Sequence, residues 1–342
     1  MMKKSNTLMA AAALMTFPIW SASMANSQIK DEYGSPELIE AAKKEGQITF
    51  YSALVSETEE FLIGEFNKRF PFVKVNLIRL PGGQLLTRVK TEAAAGKLTA
   101  DVVDTSDPVL VMEVEHLFAD YAPPNADQYP AESHTKRLWS RTANSWCISY
   151  NTALITNPPK TWQDLADPKY AGKTGMTPIP IGGSPWILAM FHREKFGIEY
   201  WKALAANKPT FFTSTASLTS ALIQGEIQIG ANLSNVALPK AREGAPIDCK
   251  FPEGPIVVNL NVAGVFAGAK NPNAARLFMN WSLSKEGQTA NVKGQYFFST
   301  LAGAPFPLEG YEGREIWIAK PADQIRLRPT WSAEWNAIFN YH

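Results

Sequence analysis

The sequence predicts an α/β protein of two domains, and two observations support this prediction. Up to Pro108, short apolar runs alternate with amphipathic stretches over short connections, which is typical of a mostly parallel sheet flanked by helices. The pattern changes near residue 150, and a long apolar run lies near residue 260. We expect the chain to cross between the domains at these two places, so that the second domain is inserted into the first.

Local signals define the N-terminal elements. Residues 35–46 should form a helix, because Ser35 can cap it, Pro36 suits its first turn and Gly46 ends it. Strands and helices then alternate, with a strand over Gln47–Ser52, a helix over Glu57–Phe70, a strand over Val73–Leu80, a helix over Gln84–Ala95 and a strand over Asp101–Asp104.

The elements expected after residue 145 define the inserted domain and the return to the first one. They are the strand Trp146–Tyr150, a helical turn over Thr161–Leu165, the strand Thr174–Thr177, a helix to about Phe196, a helix over Ile198–Asn207, the helix Ser214–Gln224, the strands Ile227–Ala231 and Ile256–Phe266, and the helix Pro272–Leu283. We therefore expect one lobe of residues 26–148 and 260–342, with C-terminal helices in reach of both lobes, and a second lobe of residues 149–259.

Residues 1–25 have the layout of a secretory signal peptide. Lys3 and Lys4 precede the apolar run Leu8–Trp20, and Ser23-Met24-Ala25 offers small residues for cleavage near Ala25. The run is too short for a spanning helix, and no cysteine follows it to carry a lipid anchor. The alternative is a buried N-terminal helix.

Composition and motifs exclude several functions. Lys and Arg number 33 against 32 Asp and Glu, so no basic surplus favours nucleic acid or a membrane surface. Cys147 and Cys249 are the two cysteines, and an exported protein permits but does not require a disulfide between them. The four histidines are scattered, so no metal site is expected. The hydrolase motifs G-x-S-x-G and H-E-x-x-H are missing, so we do not expect an enzyme.

Six segments occur in a characteristic order. They are GQITFYS (46–52), EFNKRFPFVKVN (65–76), ADVVDTSDP (100–108), TWQDLADPKYAGK (161–173), ALIQGEIQIG (221–230) and AKNPNAARLFMNWSLSKEGQ (269–288). Together they resemble the periplasmic solute-binding proteins of ABC importers, in the branch that includes ferric-iron-binding proteins. The resemblance implies a type II periplasmic-binding fold, in which two lobes joined by two crossing strands close over a ligand. It also implies a monomer in the periplasm with a small-molecule ligand, an importer permease as partner and no cofactor.

The chain departs from the iron-binding members of that family at one place. In those members a pair of adjacent tyrosines follows the strand that corresponds to Ile227–Gly230, whereas this chain has Ala231–Asn235 without a tyrosine. Ferric iron prefers charged oxygen donors. We therefore expect a small organic anion, namely a phosphonate, a phosphate ester or a carboxylate. Ferric iron with a synergistic anion and a secreted enzyme on the same fold are the alternatives.

The candidate ligand-binding residues follow predicted strands, where α/β sheets bind their ligands. They are Ser52, Arg79, Gly83, Ser106, Gly183, Ser184, Ser214, Thr215, Asn232, Ser234 and Asn235. Most precede helices, whose N-termini bind anions, and Arg79 can pair with an acidic ligand. The alternatives are helix capping for each hydroxyl and a surface ion pair for Arg79. Core packing is expected of Trp146 and Trp186 rather than ring stacking, and Asp107 should cap a helix or bind a ligand amine.

Overall fold

The structure is a computed structural model that describes residues 32–80, 82–181 and 183–341. The predicted signal peptide, residues 1–25, lies outside the described residues. Within these ranges, no helix combines the length and the apolar character needed to cross a membrane.

Helices and strands alternate along most of the chain. The helices are α1 (Pro36–Glu45), α2 (Ser56–Arg69), α3 (Gly82–Ala94), α4 (Pro108–Met112), α5 (Gly183–Ala206), α6 (Thr215–Gln224), α7 (Ser234–Arg242), α8 (Pro272–Leu283), α9 (Lys285–Gln295) and α10 (Pro321–Phe339). The strands are β1 (Gln47–Ser52), β2 (Lys74–Arg79), β3 (Val102–Thr105), β4 (Trp139–Asn151), β5 (Thr174–Met176), β6 (Thr210–Phe211), β7 (Ile229–Leu233), β8 (Ile247–Lys250), β9 (Ile256–Val265) and β10 (Ile316–Ile318).

Helix boundaries follow the local signals in the sequence. The Ser35 side chain accepts a hydrogen bond from the Leu38 amide at the start of α1, and Gly46 ends that helix in a left-handed conformation with φ 71°. Gly197 interrupts α5 with φ 74° and ψ −178°, which confirms the prediction of two helices there. A positive φ without a side-chain penalty is available to glycine alone.

The strands follow one another in the order β2-β1-β3-β9-β4-β7-β5-β6, with β10 beside β9 and β8 beside β4. β1 pairs in parallel with β2 and β3, and β5 pairs in parallel with β6 and β7, as predicted. The strands that cross between the two halves, β4 and β9, run antiparallel to each other.

Strand β4 belongs to two sheets, which divides the fold into two lobes. Its residues Trp139–Ser145 pair with β9, and its residues Trp146–Asn151 pair with β7 and β8. We call the part around β1, β2, β3 and β9 lobe 1, and the part around β5, β6, β7 and β8 lobe 2. β4 and β9 are the interlobe strands. The domain boundaries at residues 148–149 and 259–260 remain predictions.

The sequence predicted the first interlobe strand too short. We expected a strand over Trp146–Tyr150, but β4 begins at Trp139 and is buried along its whole length. The stretch before Trp146 contains Arg141 and Asn144, which break the apolar pattern. Both side chains form hydrogen bonds inside the protein, Arg141 with Asp104 and Asn144 with Asn261. These polar residues are therefore compatible with a buried strand.

Each lobe has an aromatic core. In lobe 1, Phe66 and Phe50 contact Phe278 of α8 with ring centroids 5.2 and 5.1 Å apart. In lobe 2, Trp146 and Trp186 are each 1% exposed, in line with the core packing expected of them. Helix α10 packs on this second core, where Trp186 contacts Trp331.

A disulfide joins Cys147 of β4 to Cys249 of β8, with 5.8 Å between the two Cα atoms. The sequence had left this pairing open. The bond connects strands that are already hydrogen-bonded neighbours in lobe 2.

Candidate functional site

The interlobe strands carry a row of buried polar side chains. Asn144 lies opposite Asn259, and Thr142 lies opposite Asn261, so the four project from one face. The Asn144 Nδ2 donates to the Asn261 Oδ1 over 3.1 Å. The Asn261 Nδ2 donates to the Thr142 Oγ1 over 2.8 Å. We call these four residues the amide row.

The amide row holds the end of β3 in lobe 1 to the start of α5 in lobe 2. The Asn259 Nδ2 donates to the Ser106 carbonyl oxygen over 3.2 Å and to the Ser184 Oγ over 3.0 Å. The Asn144 Nδ2 also donates to the Ser184 Oγ, over 3.3 Å. Asn259 thus connects two residues of the candidate list, one from each lobe, and Asn144 adds a second hydrogen bond to Ser184.

Gly183 lets the two lobes touch backbone to backbone at this point. A Cβ atom at Gly183 would lie 2.6 Å from the Ser106 carbonyl oxygen and 3.1 Å from the Asp107 Cα. No side chain fits at such distances, so the contact requires glycine. We call Ser106, Gly183 and Ser184 the interlobe junction. The amides of the first turn of α5 lie here, and they form the positive end of that helix.

A second polar contact surrounds Ser234, at the start of α7. Its hydroxyl donates to the Tyr296 carbonyl oxygen over 3.0 Å. Its Oγ lies 2.6 Å from the Ser145 Oγ, which therefore acts as the donor between the two serines. The Oδ1 of the next residue, Asn235, is buried and has no hydrogen-bond partner among the described residues. Tyr296 takes part in this contact through its backbone carbonyl oxygen.

Ser52 belongs to a buried charge cluster in lobe 1. Its hydroxyl donates to the Glu59 Oε1 over 2.6 Å. The Arg141 guanidinium lies between Glu59 and Asp104, 2.5 Å from an oxygen of each. Burial raises the pKa of Asp104 to about 7; the Arg141 charge lowers it and the Glu59 carboxylate raises it. Ser52 is therefore held by Glu59 in this arrangement and is fully buried.

Asp107 forms an ion pair across the two lobes. The Arg328 Nη1 of α10 lies 2.9 Å from the Asp107 Oδ2, which directly follows the interlobe junction in sequence. Helix α10 packs on the core of lobe 2, whereas Asp107 precedes α4 of lobe 1. From the sequence we expected Asp107 to cap a helix or to bind a ligand amine. In the structure its carboxylate pairs with the Arg328 guanidinium.

Two further candidates lie at the lobe 1 surface. Arg79 is exposed, and its Nε donates to the Leu54 carbonyl oxygen over 3.2 Å. Gly83 lies in the first turn of α3, where an added Cβ would meet no atom within 4 Å among the described residues. Neither residue contacts the interlobe junction through a described hydrogen bond, so their ligand roles remain predictions.

The remaining candidates make local structural contacts in lobe 2. Ser214 caps α6 through a capping box with Ser217, and Thr215 is the first residue of that helix. Asn232 is buried, and its Nδ2 donates to the Thr219 Oγ1 over 2.8 Å. Hydrogen bonds within the lobe thus occupy Ser214 and Asn232, which agrees with the capping alternative for the serine.

The acidic, histidine and cysteine side chains do not form a metal centre in the described ranges. No three of them come together there in an arrangement that could hold an ion. Asp104 and Glu59 form a pair of carboxylates, but Arg141 lies between them.

Residues 62–307 match the family described as bacterial extracellular solute-binding protein. The match covers well over half of the chain. The chain belongs to this family. It is therefore a bacterial extracellular solute-binding protein, the class that serves as the substrate-binding component of ABC transporters.

A relative with a more specific description is the putative 2-aminoethylphosphonate-binding periplasmic protein of Salmonella typhimurium. It is 27% identical over 229 residues, which cover 64% of this chain and 66% of the relative.

Solved structures establish the fold. Iron-bound HitA from Pseudomonas aeruginosa matches with a TM-score of 0.70 at 20% identity, covering 86% of this chain and 98% of HitA. The periplasmic binding protein AfuA from Actinobacillus pleuropneumoniae, with fructose-6-phosphate bound, matches with a TM-score of 0.71 at 20% identity. That match covers 87% of this chain and 99% of AfuA. The predicted two-lobed type II periplasmic-binding fold is confirmed.

Sequence reasoning missed the residues that hold the junction together. Asn259 and Asn261 alternate with apolar residues in β9, which indicates one polar face on an otherwise apolar strand. That signal could have identified them. Arg328 gave no such signal, because its partner Asp107 lies 221 residues away in sequence.

Proposed function

We propose that this solute-binding protein captures a small organic anion, a phosphonate, phosphate ester or carboxylate, between its two lobes. The observation that carries the proposal is the interlobe junction, where the start of α5 in lobe 2 meets Ser106 of lobe 1. A ligand bound there touches both lobes and therefore favours their closure, as in other hinged binding proteins.

The start of α5 has the chemistry that an anion requires. Backbone N–H groups in the first turn of a helix have no partner within the helix and attract negative charge. The Ser184 Oγ accepts hydrogen bonds from Asn144 and Asn259, so its own hydrogen is available to a ligand. The Ser184 hydroxyl donates to no acceptor among the described residues. A phosphonate or carboxylate oxygen accepts hydrogen bonds from both kinds of donor.

The named ligands of similar proteins support the phosphorus oxyanions within this class. One relative is described as binding 2-aminoethylphosphonate, and one protein of the same fold was solved with fructose-6-phosphate. Both compounds combine a phosphorus oxyanion with a small polar body. We therefore rank phosphonates and sugar phosphates before carboxylates.

The proposal includes the route of the protein in the cell. Residues 1–25 act as a signal peptide that is cleaved near Ala25, and the mature protein works in the periplasm as a monomer. It delivers its ligand to the permease of its importer.

A thermal-shift panel on the purified protein tests the ligand class. The panel contains 2-aminoethylphosphonate, fructose-6-phosphate, inorganic phosphate, citrate, ferric citrate and an uncharged sugar. A ligand at a hundred times its dissociation constant stabilises the folded state by about 2.7 kcal/mol, which raises the melting temperature measurably. We expect stabilisation by at least one phosphorus anion and none by the uncharged sugar.

The same panel distinguishes the alternatives. Stabilisation by ferric citrate and not by citrate, with a visible charge-transfer colour, would favour ferric iron. Chemical turnover of the stabilising compound, followed by phosphorus NMR, would favour an enzyme. No shift with any of the anions would refute the proposal.

A further inference from the structure

Asp107 of lobe 1 lies against the start of α5, where we place the anion. A Cβ atom at Gly183 would lie 3.1 Å from the Asp107 Cα and 3.2 Å from the Asp107 Cβ. The carboxyl carbon of Asp107 is bonded to that Cβ, so its negative charge is close to the first turn of α5. A ligand whose acidic group binds this turn therefore has the Asp107 carboxylate as a neighbour.

Helix α10 already brings a positive charge to this carboxylate. The rings of Trp331 in α10 and Trp186 in α5 lie side by side, with their centroids 6.5 Å apart. One turn before Trp331, the Arg328 Nη1 lies 2.9 Å from the Asp107 Oδ2. A carboxylate has about four acceptor positions. Asp107 can therefore accept hydrogen bonds from Arg328 and from a ligand ammonium group together.

The burial of Asp107 comes in part from the contact between the lobes. Asp107 is 4% exposed. Gly183 lies against it from lobe 2, and Arg328 belongs to α10, which packs on the core of lobe 2. Opening of the two lobes separates Asp107 from these neighbours. A ligand that enters the open cleft can then reach the carboxylate before the lobes close.

The charges along β3 and directly after it do not favour a simple dianion. Asp104 and Glu59 lie on either side of Arg141, and Asp107 pairs with Arg328, so three acidic groups face two guanidinium groups. The start of a helix adds only about half a positive charge. A phosphate ester carries close to two negative charges at neutral pH. A positive group on the ligand itself would restore the balance.

We propose that Asp107 selects a ligand with an ammonium group beside its acidic group, which makes the solute a small zwitterion. The ammonium group donates to the Asp107 carboxylate, and the phosphonate, phosphate ester or carboxylate group binds the first turn of α5. A short spacer joins the two groups, because Asp107 directly adjoins that turn. This inference rests on the proposed function, since it requires the acidic group at the start of α5.

Three pairs of compounds test this selection. Each pair differs by the amine: 2-aminoethylphosphonate and ethylphosphonate, phosphoethanolamine and ethyl phosphate, and β-alanine and propionate. Calorimetry on the purified protein at about pH 7, where an aliphatic amine is protonated, measures their affinities. In each pair that binds, we expect the compound with the amine to bind about tenfold tighter or more, because it adds a hydrogen bond between charged groups.

Asp107→Asn removes the charge and keeps the size of the side chain. We expect the preference for the amine to fall from about tenfold or more to about onefold. Loss of the ion pair with Arg328 affects both compounds of a pair, so the ratio of their affinities reports the amine contact alone. Binding of the compound without the amine also shows that the variant folds. Asp120→Asn is the matched control and should keep the full preference, since Asp120 pairs with Arg137 outside the junction.

The outcomes separate this inference from the proposed function. Equal or tighter binding of the compounds without an amine would overturn the inference and leave the anion proposal standing. An unchanged preference in Asp107→Asn would do the same. No binding by any of the six compounds would overturn both.

Discussion

The Asn259 Nδ2 donates to the Ser184 Oγ over 3.0 Å and, from the same nitrogen, to the Ser106 carbonyl oxygen over 3.2 Å. A single amide on an interlobe strand thus contacts one candidate residue of each lobe. The contact between the lobes therefore depends on the Asn259 side chain as well as on the segments at Ser106 and Ser184. Substitutions at the junction should therefore weaken lobe closure and ligand binding even where both lobes stay folded.

The first prediction concerns the close backbone contact at Gly183. Gly183→Ala places a methyl group 2.6 Å from the Ser106 carbonyl oxygen, so the two lobes must move apart. Overpacking of this kind costs about 1–3 kcal/mol, which corresponds to a loss of affinity of about 5- to 150-fold. Calorimetry with the anion that the panel identifies, starting with 2-aminoethylphosphonate, measures the loss.

Gly64→Ala is the matched control for that change. Gly64 lies inside α2, and a Cβ there meets no atom within 4 Å among the described residues. Its affinity should equal that of the unmodified protein. An unchanged affinity for Gly183→Ala would show that the lobes do not need this contact to bind.

The second prediction concerns the ion pair between Arg328 and Asp107. The pair joins α10 to lobe 1 and is partly screened, since the Arg328 side chain is 28% exposed. Arg328→Gln should weaken closure by about 0.5–1 kcal/mol, a loss of affinity of about two- to fivefold. Arg326→Gln is the control, because Arg326 pairs with Asp323 within the same helix. Equal effects of the two variants would argue against an interlobe role.

The third prediction concerns pH and the buried Asp104. Its pKa rises from 3.8 to about 7 on folding, so between about pH 4 and 7 the folded state keeps a proton that the unfolded chain releases. The contribution of Asp104 to the free energy of unfolding is therefore largest below about pH 4 and is lost as the pH rises towards 7. Asp104→Asn removes this dependence. The stability of the unmodified protein relative to Asp104→Asn should fall between about pH 4.5 and 7.5.

Denaturant unfolding at several pH values measures that difference. The comparison must be made between the two proteins, because burial lowers the pKa of His192 to about 3 and gives an opposite pH dependence in both. Asp127→Asn, at an exposed position, should show no such trend relative to the unmodified protein. A constant difference for Asp104→Asn would contradict the assignment.

The fourth prediction concerns the disulfide between Cys147 and Cys249. It closes a segment of 102 residues, so its loss frees a long loop in the unfolded chain. The double substitution Cys147→Ser and Cys249→Ser should lower the free energy of unfolding by about 2–5 kcal/mol. Denaturant curves with and without reductant measure this, and reductant should not affect the variant. Identical curves for the unmodified protein under both conditions would contradict the prediction.

Much of the fold could be predicted because local signals agree with it. The cap at Ser35, the glycines at Gly46 and Gly197 and the apolar strand β9 each specify their own element. Helix α7 was missed, and α10 was expected only as a C-terminal helix without bounds. Each contains an internal proline, Pro239 or Pro329, which normally indicates the end of a helix. Packing against the rest of the protein outweighs that local signal.

The candidate site was predicted only in part. Strand ends and helix starts identified Ser106, Gly183 and Ser184, which the structure places together. The same rule also selected Ser214, whose hydroxyl caps its own helix. Helix capping and ligand binding use the same residue types, so sequence alone does not separate them.

The most direct test is a crystal structure of the protein with 2-aminoethylphosphonate, or with the anion that gives the largest thermal shift. We expect an oxygen of the acidic group to lie within hydrogen-bonding distance of the Ser184 hydroxyl and the amides of the first turn of α5, with lobe 1 closed over it. An anion bound elsewhere, or a metal ion between the lobes at Ser234 and Asn235, would contradict it.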